Sequence, residues 1–273
     1  NKAKIASTKI RILKPEEKKI AYEYLETNLK ANTKKILDAN KLDIDNAIQN
    51  NLAKPLINRL KVTEESILGI IKSVSDIKNL ADPIGNVLEK WEQPNGLKFS
   101  KISVPLGVLG VIYESRPNVT IDASCLSLKS NNALILRGGS DSFNSSLELV
   151  NIITDSFNKA GLPKNIIQMI PTTEREAVDH LLSMNHYVNV IIPRGGKSLI
   201  KKINEKSKIP VIKHLEGLCH IFVDKEANIE LAKKVIFNSK LRRPEICGAT
   251  ETLLIDSSIK EKSLELLLPL HEA

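Results

Sequence analysis

Aromatic side chains make up only 4% of this 273-residue sequence: 1 Trp, 4 Tyr and 5 Phe. That is too few to build the stacking platforms on which proteins read single-stranded nucleic acid. Cysteine is scarce as well. The 3 cysteines, an odd count, exclude a disulfide framework and fit a reducing, cytoplasmic setting. No run approaches the roughly 18 uncharged apolar residues a membrane span requires. Lysines scattered through "NKAKIASTKIRILKPEEKKI" leave no apolar core for a signal peptide. The dinucleotide fingerprint G-x-G-x-x-G is absent, and no metal site is expected. Charge is less balanced: 40 Lys and Arg face 32 Asp and Glu, a net of +8. The lysines are interleaved with acids, as in "PEEKKI" and "DKEANIELAKK", which describes a solvated surface or one suited to an anionic small substrate more than a nucleic-acid stripe.

What is present changes character near Gly107. Before it, Ile44, Ile48, Leu52, Leu56 and Leu60 recur every four residues, the spacing of one apolar helix face. Thr63, followed by Glu64 and Glu65, predicts the N-cap of a further helix, which ends near Leu80 because "ADPIGN" supplies Pro and Gly. Asn95-Gly96 in "VLEKWEQPNGLKFSKISVP" predicts a β-hairpin, and Trp91 on it is expected to pack on the body in preference to another subunit.

After Gly107 the apolar runs "GVLGVIY", "ALILR", "IIQMI", "VNVII" and "IPVIK" alternate with segments long enough for helices. One of these segments, "DSFNSSLELVNIITDSFNKAGLP", closes with Gly161 and Pro163 as a helix stop. Continuous apolar strands predict a parallel sheet covered on both faces, hence a doubly wound α/β domain with ligands at the carboxyl ends of its strands. Two of those ends carry Arg-Gly-Gly: Arg137, Gly138 and Gly139 in "LILRGGSDS", and Arg194, Gly195 and Gly196 in "VIIPRGGKS". Glycine admits close backbone approach to a phosphate, the helix N-terminus favours an anion, and arginine adds a charged fork. The alternative is coincidence, since glycine is common at strand-to-helix turns.

One thiol stands out in "LRRPEICGATETLLID". Cys247 follows Arg242 and Arg243, cations that favour the reactive thiolate, yet these residues alone leave a buried packing role equally open. Cys125 in "IDASCLSLKS" and Cys219 at the start of "LCHIFV" are both expected to be buried packing residues.

Taken together, "VPLGVLGVIYESRPNVTIDASCLSLKSNNALILRGGS", "NVIIPRGGKSLI", "HLEGLCHIFVDKEANIELAKK" and "RRPEICGATETLLID" resemble the gamma-glutamyl phosphate reductases, the proline-biosynthesis branch of the aldehyde dehydrogenase superfamily. The resemblance runs from the N-terminal helices to about Asp256. It implies an aldehyde-dehydrogenase-like α/β fold, with a cofactor-binding domain over residues 1–213 that includes an oligomerisation hairpin at 88–105, and the beginning of a catalytic domain at 214–273. It further implies NADPH-dependent reduction of L-glutamate 5-phosphate to the 5-semialdehyde with release of phosphate. The implied setting is a cytoplasmic homo-oligomer, functionally linked to glutamate 5-kinase, with no nucleic-acid or membrane partner.

On that resemblance Cys247 is the nucleophile that forms a thioester. His214 in "HLEG" stands where hydrolytic relatives carry a glutamate general base, and either moves a proton or only hydrogen-bonds at a strand end. Arg242 and Arg243 depress the thiol pKa or hold the departing phosphate, a solvated structural pair being the alternative. Asn118 in "YESRPNV" is displaced from the superfamily's oxyanion asparagine and takes a substrate-binding or a structural role. Ser140 occupies the place of a glutamate found in NAD-preferring relatives, so with Arg137 it favours the 2′-phosphate of NADP, while Asp141 is expected to face the following helix N-terminus. A single strand-helix-strand unit follows residue 213, shorter than the family's catalytic half, so a C-terminally shortened form with little activity is expected. The rivals are a coenzyme-A-dependent acylating aldehyde dehydrogenase and a basic binding protein that keeps the fold without catalysis.

Overall fold

The computed structural model describes every residue except Ser115, His214, Leu215, Glu216, Arg243, Glu245, Glu272 and Ala273, together with the side chain of Pro55. The chain divides into two compact units, Asn1–Lys213 and His214–Ala273. Among the described residues no helix is long and apolar enough to cross a membrane, and no group of three or more His, Cys, Asp or Glu side chains is placed to hold a metal ion.

The first unit opens with five helices: α1 (Lys2–Ile10), α2 (Pro15–Ala31), α3 (Thr33–Gln49), α4 (Lys54–Leu60) and α5 (Glu64–Asn79). Thr63 caps α5 by accepting from the Ser66 amide at 3.2 Å, and Ile67, Ile70, Val74 and Ile77 form its buried face. The four-residue stripe from Ile44 to Leu60 does not mark one helix. The chain breaks between α3 and α4, where Asn51 adopts a left-handed conformation (φ 52°), and Ile48 is exposed. The face that α3 buries is Ile36, Asn40, Asp43 and Ala47. Two polar residues occupy it because each is fully used. Asn40 donates to the Leu60 carbonyl at 2.8 Å and to Ser145 Oγ at 3.0 Å, and its Oδ1 accepts from the Val62 amide at 2.8 Å. Such bonds offset the desolvation that excludes polar groups from a core.

Strands β1 (Val87–Glu92) and β2 (Lys98–Ile102) form the hairpin expected around Asn95-Gly96, with Gly96 at φ +83°. Every residue on both strands is exposed. Trp91 does not enter the core as expected: it stacks on Phe99, its cross-strand partner, at 5.3 Å between ring centroids. A two-stranded ribbon has no second layer to bury an aromatic, so cross-strand pairing is what the ring can gain.

The sheet that follows has four parallel strands in the order β5 (Ile167–Met169), β4 (Ala133–Arg137), β3 (Val108–Tyr113) and β6 (Val190–Arg194). Strand β3 lies centrally and is buried along its whole length, as a continuous apolar run in a doubly covered sheet requires. Its crossovers run through α6 (Asn118–Lys129), α7 (Phe143–Lys159) and α8 (Glu176–Leu182), and α9 (Lys197–Lys206) follows β6. Helix α7 buries Leu149, Val150, Ile153 and Phe157 and stops at Gly161 (φ +78°). The run "IPVIK" forms no strand; it contributes one isolated bridge, Val211 to Ile191. Cys125 of α6 is fully buried, and burial pushes its thiol pKa up.

The second unit is a parallel β-α-β unit with a closing helix: β7 (Cys219–Val223), α10 (Ile229–Leu241), β8 (Thr250–Ile255) and α11 (Ser263–His271). Its buried core is small, built on Val223, Ile236, Ile259 and Leu266.

Candidate active site

The parallel register of the first unit brings the two Arg-Gly-Gly turns to the same edge. Ile112 of β3 is level with Arg137 of β4, and Tyr113 with Arg194 of β6, so the turns flank the carboxyl end of β3 on either side. A cleft of about 620 Å³ opens there, lined among others by Glu114, Arg137, Ser140, Asp141, Thr173 and Lys202. This is the edge and the size that parallel α/β sheets offer to nucleotides.

The two turns are not used alike. Gly138 packs on the Tyr113 ring, where an added Cβ would stand 3.1 Å from the hydroxyl oxygen. The guanidinium of Arg137 is largely spent on backbone carbonyls: it donates to Gly138, to Thr173 at 2.9 Å and to Glu174 at 3.4 Å. The arginine thus fastens the loop after β5 to the end of β4. It is 7% exposed, its Nε has no partner among the described residues, and burial holds its pKa below the usual guanidinium range. Ser140 is exposed at the cleft in the short turn before α7, and Asp141 lines the cleft beside it. Asp43 from α3 also reaches the start of α7, where its two carboxylate oxygens accept from the amides of Asn144 at 3.0 Å and Ser145 at 2.8 Å.

On the other side of β3, Arg194, Gly195 and Gly196 are exposed and lead into α9. The amide of Gly196, which caps that helix, donates to Glu114 Oε2 at 3.0 Å. Sequence reasoning missed both acids. Asp43 was hidden by a hydrophobic stripe read on the wrong helix face, and Glu114 by standing one residue past the apolar run "GVLGVIY", at the carboxyl end where ligands collect. Asn118 begins α6 and lines a separate cleft of about 300 Å³ with Arg59, Lys61, Ser73 and Asp122, its Nδ2 donating to Asp122 at 3.4 Å.

In the second unit Cys247 lies in a turn closed by the Ala249 amide on the Ile246 carbonyl at 3.1 Å, just before β8. Its side chain is exposed, the condition a reactive thiol needs. Arg242 is exposed at the C-terminal end of α10. Cys219 differs from the expected buried packing residue. It is half-buried at the start of β7, and its thiol donates to the Cys247 carbonyl at 3.5 Å, because the parallel pairing of β7 with β8 brings the two segments together. His214 and Arg243 lie outside the described residues.

Comparison with known proteins agrees with this architecture. Residues 26–272 match the model of the aldehyde dehydrogenase family. A gamma-glutamyl phosphate reductase of Bartonella bacilliformis is 49% identical over 272 residues, which cover 99% of this chain and 66% of that protein. The chain therefore spans a little less than two thirds of the length of that relative. The crystal structure of gamma-glutamyl phosphate reductase from Thermotoga maritima superposes with a TM-score of 0.89 at 35% identity, covering 99% of this chain and 65% of that one. That from Saccharomyces cerevisiae gives a TM-score of 0.73 at 33% identity, covering 99% and 68%. With a parallel sheet that presents its cleft at the strand ends, an exposed cysteine ahead of β8 and a family match over nearly its whole length, the chain belongs to the aldehyde dehydrogenase family.

Proposed function

We propose that the protein reduces L-glutamate 5-phosphate to L-glutamate 5-semialdehyde, releasing phosphate, with NADPH as reductant. The observation that carries this reading is the exposed Cys247 thiol in a chain 49% identical to a gamma-glutamyl phosphate reductase. The coenzyme's fit rests on the cleft at the end of β3: about 620 Å³, with an α9 amide at its edge and a buried arginine whose Nε has no partner among the described residues. Gly139, Ser140 and the turn of Arg194, Gly195 and Gly196 would hold it, with Arg137 holding the cleft wall in place and adding positive charge beside it.

When bound, the reduced nicotinamide supplies a hydride to the acyl carbon. The other steps belong to the chain. The Cys247 thiolate adds to the acyl carbon of the acyl phosphate, the carbon–oxygen bond to phosphate breaks, and a thioester remains on the sulfur. After reduction the thiohemiacetal on Cys247 collapses, the carbon–sulfur bond breaks, and aldehyde and thiolate separate. Arg242 and Arg243 are assigned to the departing phosphate, His214 to proton movement, and Asn118 to the substrate. The exposed β1–β2 hairpin, with Val87, Leu88 and Trp91 open to solvent, is assigned to a second copy of the chain, in a cytoplasmic enzyme supplied by glutamate 5-kinase.

The test is NADP⁺ reduction by the purified protein with glutamate 5-semialdehyde. Turnover that requires inorganic phosphate is expected, and Cys247→Ser is expected to abolish it while coenzyme binding persists. Turnover that requires coenzyme A instead would replace this reading with that of an acylating aldehyde dehydrogenase.

A further inference from the structure

Two helices point their N-termini at the cleft edge of the sheet, and in each the chain's own carboxylate already occupies the anion position. The two seats differ. At α7, Asp43 is 2% exposed and accepts four hydrogen bonds, from the amides of Asn144 and Ser145 at 3.0 and 2.8 Å, from Asn144 Nδ2 at 2.9 Å and from Ser145 Oγ at 2.6 Å. Releasing it would strand buried donors, so that seat is closed. At α9, Glu114 is exposed, and among the described residues its carboxylate has one hydrogen bond, from the Gly196 amide at 3.0 Å. The chain leaves room for it: a Cβ at Gly195 would stand 2.5 Å from Glu114 Oε2. Helix α9 carries Lys197, Lys201, Lys202 and Lys206, the last two paired with Asp179 at 3.6 and 2.9 Å. The cleft also holds the buried Arg137, whose Nε has no partner among the described residues.

We propose that Glu114 is a displaceable internal anion: its carboxylate holds the N-terminal seat of α9 when no ligand is bound, and a coenzyme phosphate takes that seat only by driving it out. The inference rests on the coenzyme reading of the cleft. One amide hydrogen cannot serve two anions at full strength, and a carboxylate left beside a phosphate repels it. Glu114 therefore stabilises the ligand-free helix and weakens the coenzyme complex, which favours release of spent coenzyme. Replacing it with the isosteric glutamine keeps a hydrogen-bond acceptor for Gly196 and removes the charge.

The experiment measures binding of NADPH, inorganic pyrophosphate and adenosine to the wild type and to Glu114→Gln, together with thermal unfolding without ligand. Affinity for NADPH and for pyrophosphate is expected to rise about three- to tenfold. Adenosine, which has no phosphate, is expected to bind both proteins equally, and the unliganded variant to melt slightly lower. Tighter phosphate binding together with lower stability separates a displaced anion from a carboxylate that only supports the fold, whose loss would weaken both. NADPH binding that is unchanged or weaker in the variant overturns the inference and leaves the coenzyme reading standing. If pyrophosphate binds more tightly to the variant while neither protein binds NADPH, the anion seat is upheld and the coenzyme reading falls. No binding of either phosphate ligand to either protein overturns both.

Discussion

Ser140 stands exposed at the mouth of the cleft next to Asp141, and the proposed function assigns to it the choice between the two nicotinamide coenzymes. A hydroxyl donates to a 2′-phosphate, whereas a carboxylate at the same place repels it and accepts from the free ribose hydroxyls of NADH. Ser140→Glu is expected to shift the ratio of kcat/KM for NADPH over NADH toward NADH by about 1–3 kcal/mol. An unchanged ratio would place recognition of the 2′-phosphate on other residues. Arg137 does more in the structure than its motif announces. The motif "LILRGGSDS" points to an anion contact, and in addition the Arg137 guanidinium donates to the backbone carbonyls of Gly138, Thr173 and Glu174. Nothing in the local sequence announces that the loop after β5 returns to β4, because that contact joins residues more than thirty positions apart in the chain.

At the scale of elements, helix α7 shows how a buried acid can close a helix N-terminus from within. Asp43 arrives from α3 and pairs with the first amides of α7, so the helix after the first Arg-Gly-Gly turn is already capped from within. Asp43→Ala would leave the Asn144 and Ser145 amides unpaired in the interior and is expected to destabilise the fold by about 2–3 kcal/mol in denaturant titration. Asp43→Asn, which keeps one acceptor, should lose less. A loss under roughly 0.5 kcal/mol for the alanine variant would show that water or a neighbour replaces the cap. The elements most legible in the sequence were those whose signal is local: the Thr63 cap, the Asn95-Gly96 turn, the Gly161 stop and the continuous apolar strands of the parallel sheet. Those it misassigned depend on distant partners. The stripe from Ile44 to Leu60 lost to the buried pair Asn40 and Asp43, "IPVIK" paired at only one residue, and Trp91 found Phe99 across the hairpin in place of a core.

For the molecule as a whole, the two units differ in how much they bury. The first packs α1 to α3, α5 to α9 and a fully buried β3 around one extended core, while the second holds few buried apolar side chains. Local stability follows buried apolar area, so amides of β7 and β8 are expected to exchange with solvent well before those of β3 and β4 in native-state hydrogen exchange. Equal protection in both units would mean that the second draws stability from more than its own core. The proposed chemistry requires that Cys247 carry the acyl group. Mixing the protein with glutamate 5-semialdehyde and NADP⁺ in the absence of phosphate should stop the reaction at the thioester, and peptide mapping by mass spectrometry should find one glutamyl adduct on Cys247 that disappears when phosphate is added. An adduct on Cys125 or Cys219, or none anywhere while coenzyme is reduced, would remove the nucleophile role from Cys247.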